Sequence, residues 1–105
     1  MHAEGSLNKV GDATPWMLTG GISSAIRVAV RGIAGGTVKL EKKANGSVPD
    51  GSATSVVDIV ADQTGAAVQV TETTGFIYRL RCTVAPTAGA TIITRMADEA
   101  LVLGA

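Results

Sequence analysis

The sequence predicts an all-β chain: an antiparallel β-sandwich or small jelly roll of about six to eight strands, preceded by an extended N-terminal arm. Three observations carry that expectation. Apolar and polar residues alternate with a period of two along most of the chain after residue 21, most clearly in FIYRLRCTV, 76–84. Turn signals rich in Gly, Pro, Asn and Asp recur at spacings of about ten residues. No long window places apolar residues at the 3.6-residue period of an amphipathic helix. A partly open barrel is the nearest competitor, and a single sequence leaves strand order open.

Residues 1–21, MHAEGSLNKVGDATPWMLTGG, carry glycines and a proline and show neither period, so they read as an arm. Yet Pro15, Trp16, Met17 and Leu18 include the only tryptophan in the chain. Disordered tails seldom carry such residues. The distal arm is therefore expected to dock against something, and these four residues are candidate partner contacts. Residues 22–105 are read as one β-sandwich domain.

From Ile22 the pattern alternates, with Ile22, Ser24, Ile26, Val28 and Val30 on one face and Arg27 and Arg31 on the other. Ala34-Gly35-Gly36 supplies a turn where positive φ costs little. The strand Thr37 to Lys43 then returns as the second arm of a hairpin, with Val38 and Leu40 inward and Lys39, Glu41 and Lys43 toward water. Ala44 to Ser52, with its Asn45-Gly46 signal, is an exposed tip. Thr54 to Val60, TSVVDIV, is a β-branched strand closed by a turn over Ala61 to Gly65. Ala66 to Thr71 follows with Val68 and Val70 on one face, then a turn over Glu72 to Gly75. In the next strand Phe76, Tyr78, Leu80, Cys82 and Val84 point inward, opposite Arg79, Arg81 and Thr83. Ala85 to Gly89 turns into a strand from Ala90 to Arg95, and Met96 to Ala105 reads as strand or extended chain, with a short helix begun at Asp98 and Glu99 as the alternative.

Nine basic and nine acidic side chains cancel, which removes the electrostatic case for nucleic acid or an anionic membrane as partner. There is no run of about 18 apolar residues for a membrane span, and MHAEGSLNKV lacks the apolar core of a signal peptide. The chain is expected to be soluble and made in the cytosol. Only 3% of it is aromatic, so the core must come from aliphatic side chains that each bury less area, at about 25 cal/mol per Å². A modest monomer stability follows and a homo-oligomer is expected, but nothing in the residues counts its subunits, a trimer being one option.

Few residues suggest chemistry. His2 stands beside the initiator methionine, a poor place for a catalytic base. Cys82 falls between Leu80 and Val84 on the predicted core face and reads as a small buried hydrophobe. Asp58 is expected to face water, and Asp98-Glu99 is an adjacent pair rather than a convergent one. No cofactor or metal is predicted, and no catalytic residue. Arg79 and Arg81 share one strand face, as do Arg27 and Arg31 on another strand. Were those strands neighbours, four guanidiniums would form one patch suited to carboxylate or phosphate.

The central module GGTVKLEKKANGS…TGAAVQVTETTGFIYRLRCTVA resembles the small β-sandwich virion proteins of tailed bacteriophages over about residues 22–95. The matching residues are Gly36, Thr37, Val38 and Leu40, then Thr64, Gly65 and Val70, then Gly75, Phe76, Tyr78 and Arg79. The loop ANGSVPDGS departs from the pattern by lacking a tryptophan. The resemblance implies a non-enzymatic component of a virion, in the head decoration, head-tail or fibre category, whose partners are the major capsid protein or other virion proteins. A ligand-binding module for glycans or host surface groups is the reading from a different class.

Overall fold

Alternation builds the longest strand first: Tyr78, Leu80 and Cys82 are buried while Ile77, Arg79, Arg81 and Thr83 between them are half-buried on the other face. The computed structural model describes residues 2–18, 25–46, 48–69, 75–87 and 90–97. Within them the strands are β1 (His2–Leu7), β2 (Met17–Leu18), β3 (Ala25–Arg31), β4 (Thr37–Ala44), β5 (Thr54–Ile59), β6 (Gln63–Gln69), β7 (Phe76–Val84) and β8 (Ile92–Ala97), with one 3-10 turn at Asp50–Ser52. The expected roles of Ile22, Ser24, Val70 and Thr71, all of the turn Glu72 to Gly75 but its last residue, and the tail from Asp98 lie outside the described residues.

The strands form two four-stranded antiparallel sheets, ordered β1-β8-β3-β6 and β2-β7-β4-β5. The protein is a small β-sandwich. Its chain changes sheet at every connection except β4 to β5, which gives the interleaved order of an eight-stranded jelly roll. The core between the sheets holds Leu7, Ile26, Val28, Val30, Val38, Leu40, Tyr78, Leu80, Ile92 and Met96, all at most 1% exposed. It is aliphatic apart from Tyr78, as the scarcity of aromatic residues requires.

Two expectations are corrected. β3 and β4 do not form a hairpin, because each belongs to a different sheet: β3 pairs with β6 and β8, and β4 with β5 and β7. A Gly-Gly turn serves a crossing between sheets as well as a return within one, and here the two apolar faces meet across the core. The N-terminus is likewise not an arm. β1 pairs with β8 over its whole length, His2 opposite Ala97 through Leu7 opposite Ile92, and buries Ala3 and Leu7. Its alternation is muted because the middle inward position is Gly5, opposite the buried Thr94, whose hydroxyl donates to Gly5 O at 2.9 Å.

The segment after β1 is fixed as firmly. Asp12 Oδ2 accepts from the amides of Asn8 (2.8 Å) and Lys9 (3.2 Å), closing a turn. The amide of Asn8, then the amide and charge of Lys9, hold the Asp12 carboxyl below its ordinary value. Residues 11–14 next run along the edge of β7: Gly11 N donates to Cys82 O (3.0 Å), Cys82 N to Asp12 O (2.8 Å) and Thr14 N to Leu80 O (2.9 Å). β2 continues the same edge, Met17 opposite Tyr78 and Leu18 opposite Ile77.

Gly32 is required by both conformation and a close backbone neighbour. Gly32 has φ of 76°, and a methyl group there would stand 2.6 Å from Thr91 O. The turn after β3 packs backbone against backbone. Gly32→Ala is expected to cost about 2 kcal/mol, read as a lower midpoint in urea at unchanged slope.

Candidate interaction surface

The outer face of the β2-β7-β4-β5 sheet carries a connected polar cluster. Glu41 on β4 stands directly opposite Arg79 on β7, so an outward carboxylate meets outward guanidiniums at i and i+2 of the next strand. Glu41 Oε1 accepts from Arg79 Nε at 2.6 Å and Arg81 Nε at 3.0 Å. The Glu41 side chain is 4% exposed, against 15% and 30% for the two arginines. Glu41 was expected in water, and instead the two arginines and the 3-10 turn close over it.

Trp16 and Asp50 extend the cluster. Asp50 accepts from Lys43 Nζ (2.5 Å), Trp16 Nε1 (3.2 Å) and Arg79 Nη1 (3.3 Å). The Trp16 ring lies 4.7 Å from Lys43 Nζ and 4.4 Å from Arg79 Cζ, both within cation–π range. Lys43 Nζ also donates to Val48 O at 2.9 Å. Trp16 thus pins the loop between β4 and β5 to the sheet. The hydrogen bond from Lys43 leads the causes that hold the Asp50 carboxyl below its ordinary 3.8, with the charges of Lys43 and Arg79 adding to it.

A pH dependence follows. Because the folded-state pKa is depressed, the contribution of ionised Asp50 is fully present above 3.8 and is lost as pH falls through the depressed value. Trp16 is the only tryptophan, so its emission reports this loop. An acid titration is expected to show an emission change centred below 3.8, and Asp50→Asn should remove the transition and give the low-pH spectrum at neutral pH.

Of the residues singled out by sequence, Trp16, Arg79 and Arg81 come together in this cluster and the others do not. Arg79 and Arg81 are on one sheet, Arg27 and Arg31 on the other, so the single four-arginine patch does not form. Arg27 Nη1 donates to Gly65 O at 3.3 Å, and Arg31 is exposed. In the former arm Pro15 is exposed, Trp16 is half-buried on its own domain, Met17 is 2% exposed in the core and Leu18 is 42% exposed. Trp16 and Met17 thus dock on their own domain, while Pro15 and Leu18 stay exposed. Cys82 is fully buried, and burial, then the charge of Asp12, pushes its thiol up. Asp58 is exposed, and Val84, expected inward, is 47% exposed at the end of β7. Among the described residues no group of three or more His, Cys, Asp or Glu is placed to hold a metal ion.

What the sequence did not disclose is an opening at one side of the sandwich. β5 and β6 are the outermost strands of their sheets and follow each other in the chain. Of their residues only Asp58 is charged. Each edge carries one irregularity, at Val56 and at Gly65. Beneath their connection lies a hollow of about 300 Å³ lined by Val28, Val57, Ile59, Val60 and Val68 among others, with Val60 67% exposed. The opposite side differs: β1 carries Glu4, and β2 is only two residues long. Compared with protein-family models, curated proteins and solved structures, the chain finds no match.

Proposed function

We propose that this chain is a non-enzymatic structural protein of a bacteriophage particle, a capsid decoration or cement protein that binds the capsid surface and neighbouring subunits. The observation that carries the reading is the side of the sandwich that the described residues leave uncovered. Edges that the described residues leave unpaired, blunted only by a single charge and by one bulge in each strand and lying beside a mainly aliphatic hollow, suit pairing with another chain. The jelly-roll strand order agrees with the resemblance to small virion proteins, although lectin domains share it and fold alone does not choose a function. Charge points the same way: the acidic and basic groups on the outer sheet face pair with one another and fix a loop.

The glycan-binding reading loses its natural platform, since the Trp16 ring is already occupied by Lys43 and Arg79. Mass photometry of the purified chain, alone and mixed with empty phage heads, tests the proposal. Added mass on the heads is expected, and Val60→Lys, a change at an exposed position, should abolish it while leaving the circular dichroism unchanged. Heads that gain no mass would end this reading.

A further inference from the structure

The outer face of the other sheet holds two arginines, Arg31 and Arg95, that form no ion pair among the described residues. Arg95 on β8 lies opposite Glu4 on β1 and Ala29 on β3, while Arg31 on β3 lies opposite Ile93 on β8. Arg31 and Arg95 are therefore diagonal neighbours on one face, roughly 7–8 Å apart at their Cα atoms. The ion pairs among the described residues all join Lys43, Arg79 and Arg81 to Glu41 and Asp50 on the opposite sheet. Arg95 Nε is enclosed and has no hydrogen-bond partner among the described residues. A buried guanidinium donor without an acceptor costs free energy that an arriving acceptor returns.

Arg31 and Arg95 line one hollow of about 510 Å³, together with Glu4, Ala29, Thr64 and Ile93. Ala29 keeps its floor low between the two longer side chains. Ile93, 59% exposed, gives it an apolar wall.

We infer that this hollow is a docking site for a side-chain carboxylate, Asp or Glu, of a partner protein. Two guanidiniums and the Glu4 carboxylate leave a formal charge of one positive unit, which a single carboxylate neutralises, whereas a phosphate dianion would leave one negative charge uncompensated. The planar forks of Arg31 and Arg95 suit the two oxygens of a carboxylate, and Ile93 offers contact to its methylene stem. This inference rests on the reading of the chain as a protein-binding component and names the chemistry of one contact.

The test is NMR of the full ¹⁵N-labelled chain at low ionic strength, titrated with hexaglutamate, hexaglutamine or inorganic phosphate. Hexaglutamate is expected to shift the Arg95 Nε–H resonance and the amides of Arg31 and Ile93, and hexaglutamine to shift none of them. Arg31→Gln, at an exposed position, should weaken hexaglutamate about tenfold, while Lys9→Gln leaves it unchanged. Shifts that ignore the hollow, an Arg31→Gln variant that binds equally well, or tighter binding of phosphate would each overturn the inference. Hexaglutamate binding in the hollow by a chain that does not attach to heads would leave the inference standing and remove the function on which it rests. Attachment to heads with no hexaglutamate shift would do the reverse.

Discussion

A chain lacking residues 1–8 is expected to show no cooperative thermal transition and a collapsed amide spectrum, although it keeps seven of the strands described here. The deletion removes β1, which pairs with β8 from His2 to Leu7. It takes Leu7, 1% exposed, out of the core and opens the inner-face neighbours Ile92 and Met96 of β8 to water. Burial of one large aliphatic side chain contributes about 1.5–3 kcal/mol, and each hydrogen bond of the lost ladder about 1 kcal/mol net. Domains of this size have about 5–15 kcal/mol of stability in all, so the loss consumes most or all of it. Leu7→Ala is the milder companion, expected to cost about 3 kcal/mol and to lower the melting temperature by roughly 10–20 °C. An N-terminal arm would behave oppositely, leaving the melt in place and weakening only attachment to a partner. A truncated chain melting within a few degrees of the intact one would show that β1 is not part of the sheet.

What was legible in the sequence follows from the size of the side chains that alternate. Along β7, Tyr78, Leu80 and Cys82 are separated by arginines, so strand, face and core membership could all be read directly. β3 and β4 were readable for the same reason, through Ile26, Val28 and Val30 and then Val38 and Leu40. β1 was not, because Ala3 and Gly5 give an inward face with almost no apolar contrast to Ser6. Sheet membership was also out of reach: a period of two says which residues share a face and nothing of which strand lies beside them. That is why Arg31 was grouped with Arg79 and Arg81, when the register puts it beside Arg95. Glu41 was hidden for a related reason. Locally it is indistinguishable from Lys39 two residues earlier, and only the β4–β7 register sets it against Arg79. The available signal was the pattern itself, an outward acid on one strand and Arg-x-Arg on another, which becomes informative once the two are known to pair.

Replacement of Glu41 by alanine is expected to cost about 3 kcal/mol, more than any other single change on the outer faces. The carboxylate is nearly excluded from water, and both Arg79 and Arg81 direct Nε at its Oε1. Removing one partner of a buried charge group typically costs about 3–5 kcal/mol, because the remaining charges stay desolvated without compensation. Here the lower end applies, since Arg81 is 30% exposed and Arg79 keeps Asp50 as a second acceptor. Glu41→Gln preserves the shape and one acceptor oxygen and should cost less, about 1–2 kcal/mol. Screening separates this cluster from ordinary surface ion pairs: the Glu41→Ala deficit should persist in 0.5 M salt, about the range where exposed pairs lose their effect. In an Arg81→Met background the same substitution should cost at least about 1 kcal/mol less, because one of the two stranded guanidiniums is already gone. Trp16 emission should change as well in Glu41→Ala, since Arg79 is the residue that joins Glu41, Asp50 and the indole ring. A denaturation midpoint for Glu41→Ala indistinguishable from that of the parent chain would mean that the carboxylate is solvated and the cluster holds nothing in place.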